Sequence, residues 1–284
     1  MSDSGMGRGV LHQAAAPGGL TVERRMPAED LARHVEFYWI VRWRLDGERP
    51  HEQKVLAHPN VHLVFEAPTG RVYGVQRGLF VRQLTGAGQV FGVKFRPGAA
   101  RPLLGFPVAD LADRAVPVAE LFGPAVTEVA RTVLAGTDVQ AMAEHAERFL
   151  RELLPEPDPV AEQVAAIVGR ITESPALFRV DQLAAELGLS VRSVQRLFAE
   201  YVGAAPKWVL RRARLHEAAT RAERGAGVDW AALSAELGYA DQAHLTRDFT
   251  AAVGISPAAY AKGAATGEPV TAPSATSGQT AGAG

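Results

Sequence analysis

Short apolar or alternating runs, separated by turns rich in Gly and Pro, dominate the chain up to residue 110. Alternation with a period of two predicts half-buried strands, and frequent short strands are typical of an antiparallel sandwich or barrel. The predicted strands are Val35–Trp43, Val61–Glu66, Val72–Gln76, Leu79–Leu84 and Val90–Phe95.

The period changes after residue 110, where apolar positions recur three and four residues apart and predict amphipathic helices. These helices are Pro124–Ala135, Val139–Leu154 and Val160–Ile171. Prolines at 155, 157 and 159 separate the last two of these helices. The segment 111–178 is therefore predicted to be a helical connector.

An internal repeat marks the next segment, 179–262. Leu183–Leu189, with the sequence LAAELGL, returns fifty residues later as LSAELGY at Leu233–Tyr239. The residues that follow return at an offset of fifty-one, from Val194 and Phe198 to Leu245 and Phe249. A repeat that slips by one residue only at its glycine turn indicates one supersecondary unit used twice.

Each repeat has the residues that a helix-turn-helix unit needs. Gly188 and Gly238 follow the first helix, where the chain requires a positive φ. Asp181 and Asp229 lie near the expected N-caps of the first helices. Ser190 and Asp241 are the predicted N-caps of the second helices.

The exposed face of each second helix carries side chains that suit base recognition in a major groove. Arg binds guanine O6 and N7 in a bidentate manner, and Gln binds adenine in the same way. Two copies with the same core spacing favour DNA binding over an ordinary solvated surface. The predicted DNA-binding residues are Arg192, Gln195 and Arg196 in the first unit, and Gln242, Ala243, His244, Thr246 and Arg247 in the second.

At these residues the sequence resembles the AraC/XylS family of transcription regulators, over about Phe178–Ala261. The most specific stretch is Glu236–Tyr260, with the sequence ELGYADQAHLTRDFTAAVGISPAAY. Pro206–Ala218 resembles the helix that connects the two units in that family. The resemblance implies that the eight positions named above face the bases, and that Ala243 contacts only a thymine methyl or leaves a base unread. More loosely, the N-terminal part resembles a small barrel domain of unknown function, and members of the family commonly sense a small molecule there.

The expected architecture is α+β. A β-rich, barrel-like domain at 1–110 binds an effector or dimerises, and the helical connector at 111–178 follows. An all-α domain with two helix-turn-helix units spans 179–262. The tail at 263–284 consists mostly of Ala, Gly, Ser, Thr and Pro and is predicted to be disordered.

Composition narrows the function further. The chain has no cysteine, which excludes disulfides, cysteine-ligated zinc and the acceptor cysteine of methyl-transfer repair regulators. A P-loop, a dinucleotide fingerprint and a nucleophile elbow are also missing, so we predict neither an enzyme nor a cofactor. The net charge is only −1, although residues 179–262 carry eleven Lys and Arg against nine Asp and Glu. Charge therefore adds little to the case for DNA.

Two features of the N-terminal part leave alternatives open. His58, His62 and Glu66 are spaced four apart, as a metal site on one strand would need, but Pro59 and Asn60 favour a turn there and no metal is predicted. Aromatic side chains at strand spacing either line a ligand pocket or form a plain core. They are Phe37, Trp39, Trp43, Phe65, Tyr73, Phe80, Phe91 and Phe95.

The main hypothesis is a sequence-specific DNA-binding transcription regulator, modulated by a small-molecule effector or by dimerisation. Double-stranded DNA is the predicted partner. RNA polymerase, a small molecule and a second copy of the chain are further candidates. The alternative is a barrel enzyme or a metal-dependent sugar-binding module with a regulatory appendage. Without a signal peptide or a long apolar run in the sequence, we expect no membrane association and a cytoplasmic location.

Overall fold

A computed structural model describes residues 19–45, 50–174, 177–223 and 227–266. The N-terminal half forms two antiparallel sheets and the C-terminal half is helical. The strands are β1 (Leu20–Arg25), β2 (Val35–Arg44), β3 (His51–Leu56), β4 (His62–Phe65), β5 (Arg71–Tyr73), β6 (Leu79–Leu84), β7 (Ala87–Phe95) and β8 (Ala115–Pro117). The helices are α1 (Ala100–Leu104), α2 (Val118–Phe122), α3 (Val126–Leu134), α4 (Val139–Leu153), α5 (Pro159–Glu173), α6 (Val180–Glu186), α7 (Val191–Tyr201), α8 (Pro206–Glu223), α9 (Trp230–Glu236), α10 (Gln242–Val253) and α11 (Pro257–Thr266).

Six strands form the larger sheet, in the order β1-β2-β7-β4-β5-β8, and β3 pairs with β6 in a separate two-stranded sheet. We call this second sheet the β3–β6 ribbon. Alternate residues of β2 point to opposite faces of the larger sheet, as a period of two requires. Tyr38 and Ile40 are buried under α3 and α4. Trp39 and Val41 point the other way, toward the β3–β6 ribbon.

The expected fold class is confirmed: a sheet-rich N-terminal part precedes a helical C-terminal part. The two sheets face each other without closing into a continuous barrel. β8 extends the larger sheet to residue 117, past the predicted boundary at 110. Sequence reasoning missed β1, β3 and β8.

The predicted connector at 111–178 divides between the two halves of the molecule. Its helices α2, α3 and α4 share the core of the larger sheet, including Phe65 and Phe91. Helix α5 instead packs into the core of α6, α7 and α8 through Val164, Ile167 and Ile171. The apolar faces of these helices are therefore buried against different partners. Helix α11 continues to Thr266, so the first four residues of the predicted disordered tail are helical, and residues 267–284 lie outside the described part.

Candidate nucleic-acid interface

The first helix-turn-helix unit consists of α6 and α7. Gly188 adopts φ +64° between them, a conformation that costs glycine little. The Ser190 hydroxyl caps α7 by accepting the Ser193 N–H at 3.1 Å. The N-cap of α6 is Arg179, two residues before Asp181, which was expected near the cap. Asp181 lies in the first turn, where its carboxylate pairs with Arg179 at 2.7 Å and suits the positive end of the helix dipole.

The second unit repeats this construction with α9 and α10. Asp229 caps α9 by accepting the N–H groups of Ala231 and Ala232, each at 3.0 Å. Gly238 makes the turn at φ +68°. Asp241 caps α10 by accepting the His244 N–H at 2.6 Å. Ser190 and Asp241 are thus confirmed as N-caps, and Asp229, expected near a cap, is itself one.

Two buried side chains, four residues apart, fix each second helix to its core. Val194 and Phe198 on α7 are fully buried, and so are Leu245 and Phe249 on α10. Their spacing turns the opposite face of each helix toward solvent. Helix α8 joins the two units, and its 18 residues correspond to a rod of about 27 Å.

The predicted base-reading residues lie on these solvent-facing sides. Of the eight, Thr246 is half-buried and the other seven are exposed: Arg192, Gln195, Arg196, Gln242, Ala243, His244 and Arg247. The His244 ring packs edge-on against Tyr239, with ring centroids 5.1 Å apart, which restrains its orientation.

Three arginines on these faces differ from their neighbours. Within the described part of the chain, Arg192, Arg196 and Arg247 form no ion pair. Other arginines of the same half are engaged, as Arg211 is with Asp248 at 2.8 Å and Arg221 with Glu217 at 2.7 Å. The exposed faces of α7 and α10 therefore offer guanidinium groups that need not break an ion pair before they bind an anion or a base edge.

Comparison with known families agrees with this geometry. A family model described as a helix-turn-helix domain matches residues 183–263. The C-terminal part of the chain is a helix-turn-helix domain of the AraC type. It indicates DNA binding and transcription regulation. A second model, for the domain of unknown function DUF6597, matches residues 23–117, which cover most of the two sheets.

Among solved structures, the chain is distantly similar to ToxT from Vibrio cholerae. A 1.65 Å structure of ToxT is 10% identical with a TM-score of 0.39, and the match covers 86% of this chain and 97% of that one. ToxT bound to (E)-4-(8-methylnaphthalen-1-yl)but-3-enoic acid is 10% identical with a TM-score of 0.38, over 86% and 98% of the two chains. A comparison with curated protein sequences gave no significant match.

The AraC-type domain docks on the N-terminal half through one side of α8. Trp208, Arg212 and His216 are four residues apart and form a stripe along that side. Trp208 Nε1 and Arg212 Nη2 both donate to the Arg77 carbonyl, at 3.2 and 2.7 Å. His216 stacks on His58 with ring centroids 3.8 Å apart.

Arg212 is only 3% exposed, and its guanidinium lies over the Trp208 ring at 4.6 Å. Burial, with a smaller effect of the Arg211 charge, lowers its pKa to about 10. Its buried Nη1 has no hydrogen-bond partner among the described residues. A buried cation tied to one carbonyl makes this contact specific to one docking arrangement. Sequence reasoning missed the stripe, although its spacing of four was visible.

The β3–β6 ribbon also reaches the AraC-type domain. Leu56, at the end of β3, is fully buried in the core of the second unit with Leu215, Phe249 and Tyr260. Leu79, at the start of β6, packs against the same cluster. The second unit therefore completes its hydrophobic core with two residues from the N-terminal half.

A cavity of about 210 Å³ separates the β3–β6 ribbon from the larger sheet. Its walls are mostly apolar, and the cavity-facing aromatic side chains are all half-buried, which leaves them accessible from inside. Five of the eight aromatic residues that the sequence marked out line it: Phe37, Trp39, Trp43, Tyr73 and Phe80. Phe65, Phe91 and Phe95 are fully buried on the other face of the sheet and belong to the core. The pocket interpretation is thus correct for these five aromatic residues, and the core interpretation for the other three.

Two cations of the cavity wall, Lys94 and Arg82, are held in ion pairs, and a third, Arg24, lies over the Phe37 ring at 5.4 Å. Lys94 Nζ donates to Glu36 at 2.9 Å, and burial lowers the lysine pKa despite that carboxylate. Arg82 pairs with the buried Glu66 at 2.8 Å, and the Tyr73 hydroxyl donates to Glu66 at 3.0 Å. Burial, helped by the Lys94 charge, lowers the pKa of His62 to about 3, so its imidazole is neutral.

The spacing of His58, His62 and Glu66 does not produce a metal site. His58 lies in the turn before β4 and stacks on His216, while Glu66 is occupied by Arg82 and Tyr73. Across the described residues, no three His, Asp or Glu side chains are arranged to hold a metal ion. Likewise, none of the described helices has both the length and the apolar composition to cross a bilayer.

Proposed function

We propose that the chain is a sequence-specific DNA-binding regulator without enzymatic activity, in which α7 and α10 read bases in the major groove. The exposed, unpaired arginines on both second helices are the observation that carries this proposal. Helix α8 of the AraC-type domain joins the two units as one rod. This arrangement suits the reading of two neighbouring major grooves on one side of the duplex.

The side chains suggest a division of roles. Arg192, Arg196 and Arg247 suit guanine, whereas Gln195 and Gln242 suit adenine. His244 and Thr246 offer further hydrogen bonds, and Ala243 offers only a methyl contact. The two faces differ in composition, so one monomer should protect an asymmetric site.

The experiment is selection of DNA fragments by the purified full-length protein, followed by affinity measurements with Arg196→Ala and Arg247→Ala. Each variant should lose about 1–3 kcal/mol of specific binding, with relaxed preference at one base position. Arg131→Ala is the matched control, because this exposed arginine lies on α3, in the N-terminal half. Uniform weakening on all sequences, with a lower salt slope, would show that the arginines contact phosphate instead.

We further propose that the N-terminal half regulates DNA binding by holding a small-molecule effector. Support comes from the cavity and from the contacts of the surrounding strands with α8 and the second unit. Dimerisation through the same half is the other candidate. Sedimentation of the protein alone and on its selected site separates the two: an effector-regulated monomer binds at a ratio of one chain to one asymmetric site.

A further inference from the structure

The side chains that face the cavity set the shape of its occupant. One wall is the cavity-facing side of β2, with Trp39 and Trp43. The indoles pack closely against glycines: a Cβ at Gly92 would come within 1.9 Å of the Trp39 ring, and one at Gly88 within 2.4 Å of the Trp43 ring. The opposite wall is the β3–β6 ribbon, which contributes Val55 and Phe80. Aromatic walls on both sides suit a flat molecule.

The volume limits the size of that molecule. A dry apolar cavity of about 150 Å³ accommodates benzene, and this one measures about 210 Å³. It is smaller than the roughly 300–1,000 Å³ of pockets for drug-sized ligands. One or two rings fill it.

The two ion pairs of the wall argue against an ionic ligand. Lys94 and Arg82 already pair with Glu36 and Glu66. A carboxylate that approached Lys94 or Arg82 would have to displace the partner of that cation, which is costly. A neutral molecule leaves both pairs intact.

The neutral His62 ring carries an N–H that no described residue accepts. His62 Nδ1 accepts the Trp39 Nε1–H at 3.1 Å, which places the proton of the neutral ring on Nε2. Among the described residues, none accepts a hydrogen bond from this Nε2–H. Burial keeps the pKa of His62 low, so the ring stays a single, neutral donor near pH 7.

We propose that this cavity binds one neutral, flat molecule of one or two rings, whose hydrogen-bond acceptor takes the Nε2–H of His62. The proposal rests on the effector-sensing part of the proposed function and names the ligand class for that role. Aromatic ketones, aldehydes and amides have this chemistry.

Three probes of equal ring size test the ligand class on the full-length protein without DNA. They are 2-acetylnaphthalene, 2-ethylnaphthalene and 2-naphthoate, titrated while tryptophan fluorescence is recorded. The ketone should bind tightest. The hydrocarbon should bind roughly three- to tenfold more weakly, because it lacks one hydrogen bond. The carboxylate should bind more than about tenfold more weakly, because burial of its charge is costly. Tighter binding of the carboxylate, or no binding of any probe, overturns the proposal.

Two substitutions on the β3–β6 ribbon localise the binding. Val55→Phe fills the cavity and should abolish binding of the ketone. Val81→Phe is the matched control, since Val81 is 43% exposed and lies outside the cavity, and it should bind like the wild type. In His62→Phe, the advantage of the ketone over the hydrocarbon should disappear. Equal binding by the Val55 and Val81 variants, or an unchanged advantage in His62→Phe, contradicts the assignment.

The same titration, repeated with the selected DNA present, keeps the two proposals apart. Ketone binding without any change in DNA affinity or footprint leaves the ligand site standing and refutes the effector role. DNA binding by a protein that takes up no probe refutes the ligand site and leaves base recognition standing.

Discussion

Replacement of Leu56 by alanine tests whether the two halves of the molecule share one hydrophobic core. Leu56 is fully buried and packs in the cluster of the second helix-turn-helix unit. Loss of its three outer carbons forfeits about 2.4 kcal/mol of transfer free energy, at about 0.8 kcal/mol per methylene. The cavity left behind adds to this, so the expected loss in the free energy of unfolding is about 3–4 kcal/mol, within the range for buried leucines.

Urea unfolding, followed at the same time by circular dichroism and tryptophan fluorescence, measures this loss. Circular dichroism reports mainly on the helices. Trp39 and Trp43 lie in the sheet, and Trp208 and Trp230 in the helical half, so fluorescence reports on both. Both signals should shift together to lower urea, because a shared core unfolds as one unit. The control is Val81→Ala, an exposed position on the same ribbon, with an expected effect within about 0.5 kcal/mol. A loss below about 1 kcal/mol for Leu56→Ala, or a shift of one signal only, would refute the shared core.

Three further outcomes are expected. Insertion of about five base pairs between the two half-sites rotates one by half a turn, so gel-shift affinity should fall to the non-specific level; indifference to the insertion would mean that only one unit reads DNA. Because the folded-state pKa of His62 is about 3, below its usual value near 6.5, the unfolded chain binds more protons between these values and stability falls as pH decreases through that window. Urea titrations should therefore show a smaller loss in the free energy of unfolding between pH 7 and 4 for His62→Phe than for the wild type. Loss of the hydrogen bond to Trp39 should lower the stability of the variant by the same amount at both pH values. Equal losses in the two proteins would exclude His62 as the source of the pH dependence. Gly92→Ala should displace the Trp39 ring and cost about 1–3 kcal/mol by overpacking, whereas unaltered stability and fluorescence would contradict the close contact.

The helical half was more predictable from the sequence, because each feature of its helix-turn-helix unit occurs twice in the internal repeat. The roles of the turn glycines and of the N-caps depend only on the backbone close to them in sequence. These residues are Gly188, Gly238, Ser190 and Asp241. The eight base-reading residues remain a prediction, supported by their exposure. The sequence located the start of α6 but not its N-cap residue, because an acidic residue such as Asp181 is favourable in the first turn of a helix as well as at its cap.

The N-terminal half was predicted less completely, for reasons that lie in its packing. Strand β3 begins with His51, Glu52, Gln53 and Lys54, and polar residues on both faces hide the alternation that identifies a strand. Its apolar end, Leu56, is buried by residues more than 150 positions later in the chain. Periodicity within a short window carries no information about such a partner. The same holds for α5, whose apolar face indicates a helix but not which half of the molecule it covers.

The burial of Leu56 and Leu79 among residues of the second unit bears on how such regulators are dissected and recombined. The helix-turn-helix match begins at residue 183, but the smallest fragment with a complete hydrophobic core begins earlier in the chain. An excised 179–266 fragment would lose both leucines and the α5 side chains Val164 and Ile167. It would present those apolar surfaces to water and tend to self-associate. A chimera that exchanges only the DNA-reading module would inherit the same defect, whereas one that carries α5 and a matched β3–β6 ribbon would keep both interiors sealed.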